Sequence, residues 1–539
     1  MALPAILGAQ KNHDATLTRQ LNTFNTITRQ LEANYVDSIP VERAFESAID
    51  ALLSEIDPYT EYYSSTDREQ FRTMTTGEYA GIGSYIMQRD SGVYISGPYA
   101  GSPAAKAGLR SGDHILRVDT VDVARASHDR VSKLLKGQPG TPVSVTVARP
   151  YVGADSILTF SIIREKHNMP TEPYYGVTDG DMGYIKLTSF METSADEVKK
   201  ALRELQANPN VKGLILDLRG NGGGLLESAV EIVNYFVPKG TEVLRTKGRD
   251  GKLLKVYKTT KQPIARDMPL AVLIDGGSAS ASEITAGALQ DLDRAVLIGS
   301  RSFGKGLVQS TYPLPYDAMV KITTAKYYIP SGRLIQALDY SRRNADGTVA
   351  ATPDSLANVY KTRGGREVRD GGGLQPDIKI DWGKPSRLVY NLVRDNWIFD
   401  FGTKYAAEHP TIPAPSEFEI TDTIYSQFKA GIDPARLKYD KVCEDMLKAL
   451  EEQAEIEGYA NDSTKAEFAR LRKLLTHDLN HDLDTHRKTI AEYMTTDIVG
   501  RYYYTAGEVE AALRTDQAVQ KAAQTLRDAA QRRNLGIRP

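Results

Sequence analysis

The chain has 539 residues, a formal net charge of −2, 41% apolar and 25% charged residues, and a single cysteine, Cys443. That length exceeds what one hydrophobic core supports, so three or four domains are expected. The near-zero charge argues against a nucleic-acid partner, one cysteine excludes an intramolecular disulfide framework or a cysteine-rich zinc site, and no run of 18 apolar residues is present to span a membrane.

The opening MALPAILGAQ reads either as the tail of a secretory signal or as a frayed terminus. Over 14–75 apolar residues such as Leu17, Leu21, Ile27 and Leu31, then Ile49, Leu52, Leu53 and Ile56, recur at helical spacing, with Pro40 separating two helices. At Gly77 the texture changes. GIGSYIMQ (81–88), VYISGPY (93–99), HILRVDTVDV (114–123) and PVSVTVAR (142–149) read as strands, and ASHDRVSKLLKG (126–137) as a helix ending at Gly137. This β-rich module closes near Lys166.

From about 180 to 384 strands and helices alternate. MGYIKLTSF (182–190), VKGLILDLR (211–219), PLAVLID (269–275) and AVLIG (295–299) read as strands, the middle two apolar enough to be buried on both faces. Between them SADEVKKALRELQAN (194–208), with Ser194 as N-cap, LLESAVEIVNYFV (225–237) and SASEITAGALQDL (280–292) read as helices. The alternation predicts an α/β domain with a mostly parallel sheet. Beyond 385 the pattern is helical again, as in VCEDMLKALEEQAEIEG.

Several chemistries are testable against this frame. GSRSFGKGLVQ (299–309) nearly spells a phosphate loop, but Gly306 stands where that loop needs Ser or Thr, and a strand follows instead of a helix. His477, His481, Asp484 and His486 are close in sequence, yet the chain has no HExxH, and a solvated helix face explains them better than a metal. There is no G-x-S-x-G elbow, and no histidine lies between Gly183 and Asp381, so a histidine base is not expected there.

DGGSASASEITAGAL (275–289) is different. A buried strand ends, small residues turn, and a helix begins. Ser280 with Glu283 has the S-x-x-E form of a capping box, so Ser280 reads two ways: as a helix cap, or as a serine exposed at a sheet edge beside free first-turn amides. A serine hydroxyl needs a base to attack. Lys305, with no acid in its own loop and flanked by Phe303, Gly304, Gly306 and Leu307, is the candidate, because burial disfavours the ammonium form and a neutral amine accepts a proton. Gln309 is placed to orient that amine or is an ordinary strand residue. The glycines of DLRGNGGGLL (217–226) exceed the needs of a turn, and an oxyanion donor explains the excess.

DLRGNGGG, GSASASEITAGAL and FGKGLVQ, in this order and behind a β-rich module, resemble the carboxyl-terminal processing (tail-specific) serine proteases over about 30–384, and the helical C-terminal part resembles the branch found in Bacteroidetes. The resemblance implies a multidomain α/β protein with a crotonase/ClpP-like protease core, an inserted PDZ module, and helical N- and C-terminal regions: 1–77 helical, 78–166 PDZ, 167–384 protease, 385–539 helical. It makes Ser280 the nucleophile, Lys305 the general base and Gln309 its positioning residue, with oxyanion amides from Gly224 and Ala281. YAGIGSYI (79–86) resembles a PDZ carboxylate-binding loop, which assigns Gly81, Ile82, Gly83 and Ser84 to a peptide C-terminus although the G-L-G-F wording is missing. The implied protein is a periplasmic or cell-envelope endopeptidase acting on exposed C-terminal tails, without metal or organic cofactor. Its helical ends are expected to bury against the core or against a second copy. A catalytically silent PDZ adaptor is the alternative, against which intact Ser280, Lys305 and Gln309 argue. An acyl-CoA enzyme on the same fold would leave the PDZ module unexplained.

Overall fold

The computed structural model describes residues 3–67, 71–73, 76, 78–151, 153, 156–168, 171, 173–344, 348–383, 386–439 and 441–537. They form two compact units, Met1–Arg68 with Gln309–Thr324, and Glu69–Val308 with Ala325–Pro539.

In the first unit, helices run over Leu3–Asn34 and Val41–Ser54. The sequence reads helix through 75, but Glu61–Tyr63 is a strand, paired antiparallel with residues 319–321. Consecutive aromatics favour a pleated surface, and their partner lies some 250 residues on, out of reach of local periodicity. Lys321 closes the pair by bonding Glu61.

The second unit holds the rest. Its β-rich module is an antiparallel sheet in the order 84–89, 92–98, 114–118, 142–149, 156–163, with 121–122 appended to 114–118. Helices Pro103–Ala107 and His128–Leu135 accompany it, and Val93, Ile95, Ile115, Val131, Val143, Val145 and Val147 fill its core. GIGSYIMQ is not one strand. Residues 78–81 pair with 165–168, the chain turns at Ile82 and Gly83, and a new strand starts at Ser84. Gly83 has φ +75°, and a Cβ there would lie 2.5 Å from that of Ser102, so the turn requires glycine. HILRVDTVDV likewise splits, at Asp119, into two strands.

The α/β core is a six-stranded sheet, mostly parallel as expected. In chain order its elements are β1 (Tyr174–Thr178), β2 (Met182–Lys186), α1 (Ser194–Ala207), β3 (Gly213–Asp217), α2 (Leu226–Asn234), β4 (Leu270–Ile274), α3 (Ala281–Asp291), β5 (Val296–Gly299) and β6 (Ile378–Lys379). The strands lie in the order β1-β2-β3-β4-β5-β6, antiparallel only between β1 and β2. Ser194 is inside α1 instead of capping it. Thr193 holds the cap position, while Ser194 Oγ accepts from Met191 N–H and donates to Ser189 carbonyl.

Helices α1, α2 and α3 cover one face of this sheet with a core that includes Val198, Leu202, Ile232, Val233, Ile284 and Leu289. The other face is covered from far along the chain, by α4 (Gln517–Arg527), whose Ala518, Val519, Ala522, Ala523 and Leu526 pack on Met182, Tyr184, Ile215, Ala271, Leu273, Val296 and Ile298. The helices between 387 and 513 form their own cores around Leu392, Phe428, Ile490 and Met494, and around Phe418, Ile498 and Val499. Among the described residues no helix is long and apolar enough to cross a membrane.

Candidate functional site

The loops that leave the carboxyl ends of β3, β4 and β5 converge, as expected for an open α/β sheet. The β4 loop delivers Ser280 to the N-terminus of α3. Its backbone has φ 56° and ψ −113°, outside the basins open to a residue with a side chain, and such a conformation costs on the order of 1–3 kcal/mol. Ser280 is half-buried, and Ala281 beside it is fully buried at the first helical position.

What holds that turn is Glu283, which has no solvent exposure. Its Oε2 accepts the N–H of Ser280 (2.9 Å), as a capping box predicts, and also the N–H of Lys305 (2.9 Å). Its Oε1 accepts Ser302 Oγ (2.5 Å) and the N–H of Gly304 (2.7 Å). One carboxylate thus fastens the proposed nucleophile's loop to the proposed base's loop. Burial pushes this carboxyl up to about 7, and the four hydrogen bonds oppose that shift. A second tie is the Tyr327 hydroxyl, which donates to the carbonyls of Lys305 (2.6 Å) and Ser280 (3.2 Å). The structure therefore brings Ser280 and Lys305 together through their backbones. Gly304, Gly306 and Leu307 are buried, and Phe303 is 50% exposed. The segment after Lys305 is strand, 307–313.

Gln309 belongs to the other compact unit, where its Nε2 donates to Thr323 Oγ1 at 3.1 Å. The role read for it rests on its place in FGKGLVQ alone.

The β3 loop carries the glycines. A Cβ on Gly223 (φ +100°) would lie 2.7 Å from Ala279 carbonyl oxygen, 2.8 Å from Ser280 Cβ and 2.9 Å from Ala281 nitrogen. Close approach to the serine turn explains part of the glycine excess. The Gly223 N–H is taken by Asn221 Oδ1 (2.9 Å), while Gly224 is exposed and bridges to Phe190. Asn221 also accepts, at its carbonyl, Ala279 N–H (3.0 Å) and Ser282 Oγ (2.8 Å).

The sequence singles out Ser280, Lys305 and the glycine loop as candidates, but it shows Glu283 only as a cap and gives no sign of Tyr327 or Asn221. Only the S-x-x-E spacing gave a signal for Glu283. The others act across 47 and about 60 residues, where single-sequence patterns carry none.

In the β-rich module the turn at Gly81, Ile82, Gly83 and Ser84 is pinned by its carbonyls. Ile82 accepts from Ala104 N–H (2.8 Å) and Gly83 from Tyr99 N–H (2.9 Å). Ser84 Oγ donates to Gly97 carbonyl (3.1 Å). Strand 84–89, which follows, is an edge strand.

His477 pairs with Glu444 through Nδ1 (3.1 Å), and among the described residues no group of three His, Cys, Asp or Glu side chains is arranged to hold a metal ion.

Models of peptidase family S41, of a PDZ domain and of a probable PDZ-protease C-terminal helical domain match residues 181–340, 94–149 and 388–526. A carboxy-terminal-processing protease of Bartonella bacilliformis is 34% identical over 330 residues, covering 61% of this chain and 75% of that protein. A probable CtpA-like serine protease of Staphylococcus aureus is 28% identical over 464 residues, covering 85% and 83%. Among solved structures, the photosystem II D1 C-terminal processing protease aligns over 68% of this chain and 87% of its own at 27% identity and a TM-score of 0.37.

Proposed function

The chain belongs to peptidase family S41, among the carboxy-terminal-processing serine proteases that carry a PDZ domain, and on that premise we propose that Ser280 is its nucleophile and Lys305 its general base. One observation carries this: the N–H groups of Ser280 and Lys305 share a single buried oxygen of Glu283, in a turn whose strained residue is the serine itself. Ser280 Oγ attacks the scissile carbonyl carbon, and its proton passes to the Lys305 amine. The amides of Gly224 and Ala281 receive the oxyanion. When the C–N bond breaks, the lysine returns the proton to the leaving amine. Water then attacks the acyl-enzyme by the same route, and Ser280 is restored.

The PDZ domain supplies the tail. A trans peptide plane points its N–H opposite its carbonyl. The Ile82 and Gly83 carbonyls are turned to Ala104 and Tyr99, so the N–H groups of Gly83 and Ser84 face the other way, as a site for a terminal carboxylate requires. The peptide adds along edge strand 84–89. We place the enzyme on the exported side of the membrane, on the resemblance of its motifs. The half-exposed Leu17, Leu21, Phe24, Ile27 and Leu31 of helix Leu3–Asn34 support self-association through the N-terminal end.

The test is cleavage of one unfolded reporter made with a free and with an amidated C-terminus. The free tail is expected to be cut with a KM at least about tenfold lower, the loss of one charged hydrogen-bonded partner being ~1.5–3 kcal/mol. Equal KM values contradict recognition of the terminal carboxylate.

A further inference from the structure

The glycine loop is anchored on one side by groups that the proposed chemistry does not use. Arg219, two residues past the end of β3, lays its guanidinium between two carboxylates. Nε and Nη2 donate to Asp217 (3.0 and 2.6 Å), and Nη2 donates to Asp516 Oδ2 at 2.7 Å, across 297 residues of chain. The Arg219 and Asp516 side chains are only 16% and 15% exposed. The Arg219 carbonyl is held as well, by Lys186 Nζ (2.8 Å), and Asp217 accepts the Tyr184 hydroxyl (2.6 Å). From Arg219 the hydrogen bonds continue into the serine loop. Gly220 N–H donates to Asp275 Oδ1 (2.9 Å), which also accepts Gly277 N–H (2.9 Å) in the serine loop. Asn221 then binds Gly223 and Ala279 as described.

Asp516 divides its two oxygens. Oδ1 caps α4, accepting the N–H groups of Ala518 (2.9 Å) and Val519 (3.1 Å), while Oδ2 takes Arg219. A helix that closes the far face of the sheet is thereby bonded to the loop that faces the substrate.

We propose that Asp516 is a positioning residue for the oxyanion loop, acting through Arg219, so that the C-terminal helical region sets the catalytic competence of the protease core. This rests on the assignment of Ser280 and the glycine loop given above.

Asp516→Ser separates the two duties, because serine caps a helix nearly as well as aspartate but carries no charge for Arg219. In the full chain it is expected to lower kcat about tenfold on casein and on a p-nitrophenyl ester, with KM within twofold of the parent, as coupling through a packed network of this kind does. In an Arg219→Met background the same change adds nothing further. Amide hydrogen exchange supplies a readout independent of turnover: residues 220–224 exchange several-fold faster in Asp516→Ser, while 517–527 exchange as in the parent. A parental kcat, additive effects in the double variant, or unchanged exchange at 220–224 each overturn the proposal. If the parent cleaves nothing, the protease assignment of the site fails separately, and the exchange result still decides whether Asp516 holds the loop.

Discussion

Glu283 is the residue on which the site's geometry turns. Ionised, it accepts four donors. Protonated, its own O–H occupies one acceptor position, and one of Ser280, Ser302, Gly304 or Lys305 is released. With its carboxyl raised from 4.5 to about 7 by burial, activity is expected to rise with pH through an inflection near 7. Stability runs the other way. The native state binds the proton more tightly than the unfolded chain, so this group's contribution to folding is fully present below about pH 4.5 and is lost as pH rises through 7. Glu283→Gln keeps the shape but turns an NH2 toward two N–H donors. Its kcat at pH 8 should fall roughly 10–100-fold, each unmet buried donor costing ~1–3 kcal/mol, and its pH–rate profile should lose the inflection. An inflection that survives in Glu283→Gln assigns it to another group. The sequence shows Glu283 as a capping residue because the cap is local. Its bonds to Gly304 and Lys305 are not legible there, since they depend on β4 and β5 lying side by side.

At the scale of the element, the β3 loop was legible by its glycines, but not for the whole reason. Gly223 is needed because Ser280 sits against it. Gly223→Ala places a methyl within 2.9 Å of Ala279, Ser280 and Ala281 and forces alanine into φ +100°. The serine turn must move, and kcat/KM should fall at least about 100-fold, as misplacement near 1 Å does. Gly223→Ala with parental kcat/KM would show that the two loops have slack the distances do not suggest. The buried strands β3 and β4 were read correctly because continuous apolar runs are their signature. The breaks at Ile82–Gly83 and Asp119 were missed, since a turn within a strand-like run leaves the alternation of side chains intact.

Over the whole molecule, the C-terminal helical region is part of the protease fold. Helix α4 buries the face of β2–β5 that the crossover helices leave open. A chain ending near residue 384 exposes Met182, Tyr184, Ile215, Leu273, Val296 and Ile298 to water, at ~1.5–3 kcal/mol for each fully uncovered aliphatic side chain. It should be recovered insoluble or without a cooperative thermal transition by circular dichroism. A soluble, cooperatively melting protein ending there contradicts this role. The PDZ domain is also bound to this region, with Arg89 bidentate on Asp400 (2.7 and 2.9 Å) and Arg501 reaching Ser111 carbonyl (3.4 Å). The helical character of 385–539 is plain in the sequence. Which face of which sheet it covers is not, because amphipathic periodicity identifies a buried side but never its partner.

The Ser280–Lys305 pair is tested by digestion of unfolded casein with the full chain, with Ser280→Ala and with Lys305→Ala, each first shown by thermal melting to be folded. The parent is expected to cleave, and both variants to lose at least about 1,000-fold in kcat/KM, as removal of a nucleophile or its base does. Cleavage by Lys305→Ala at the parental rate would contradict the Ser280–Lys305 pair, and cleavage by Ser280→Ala would place the nucleophile elsewhere.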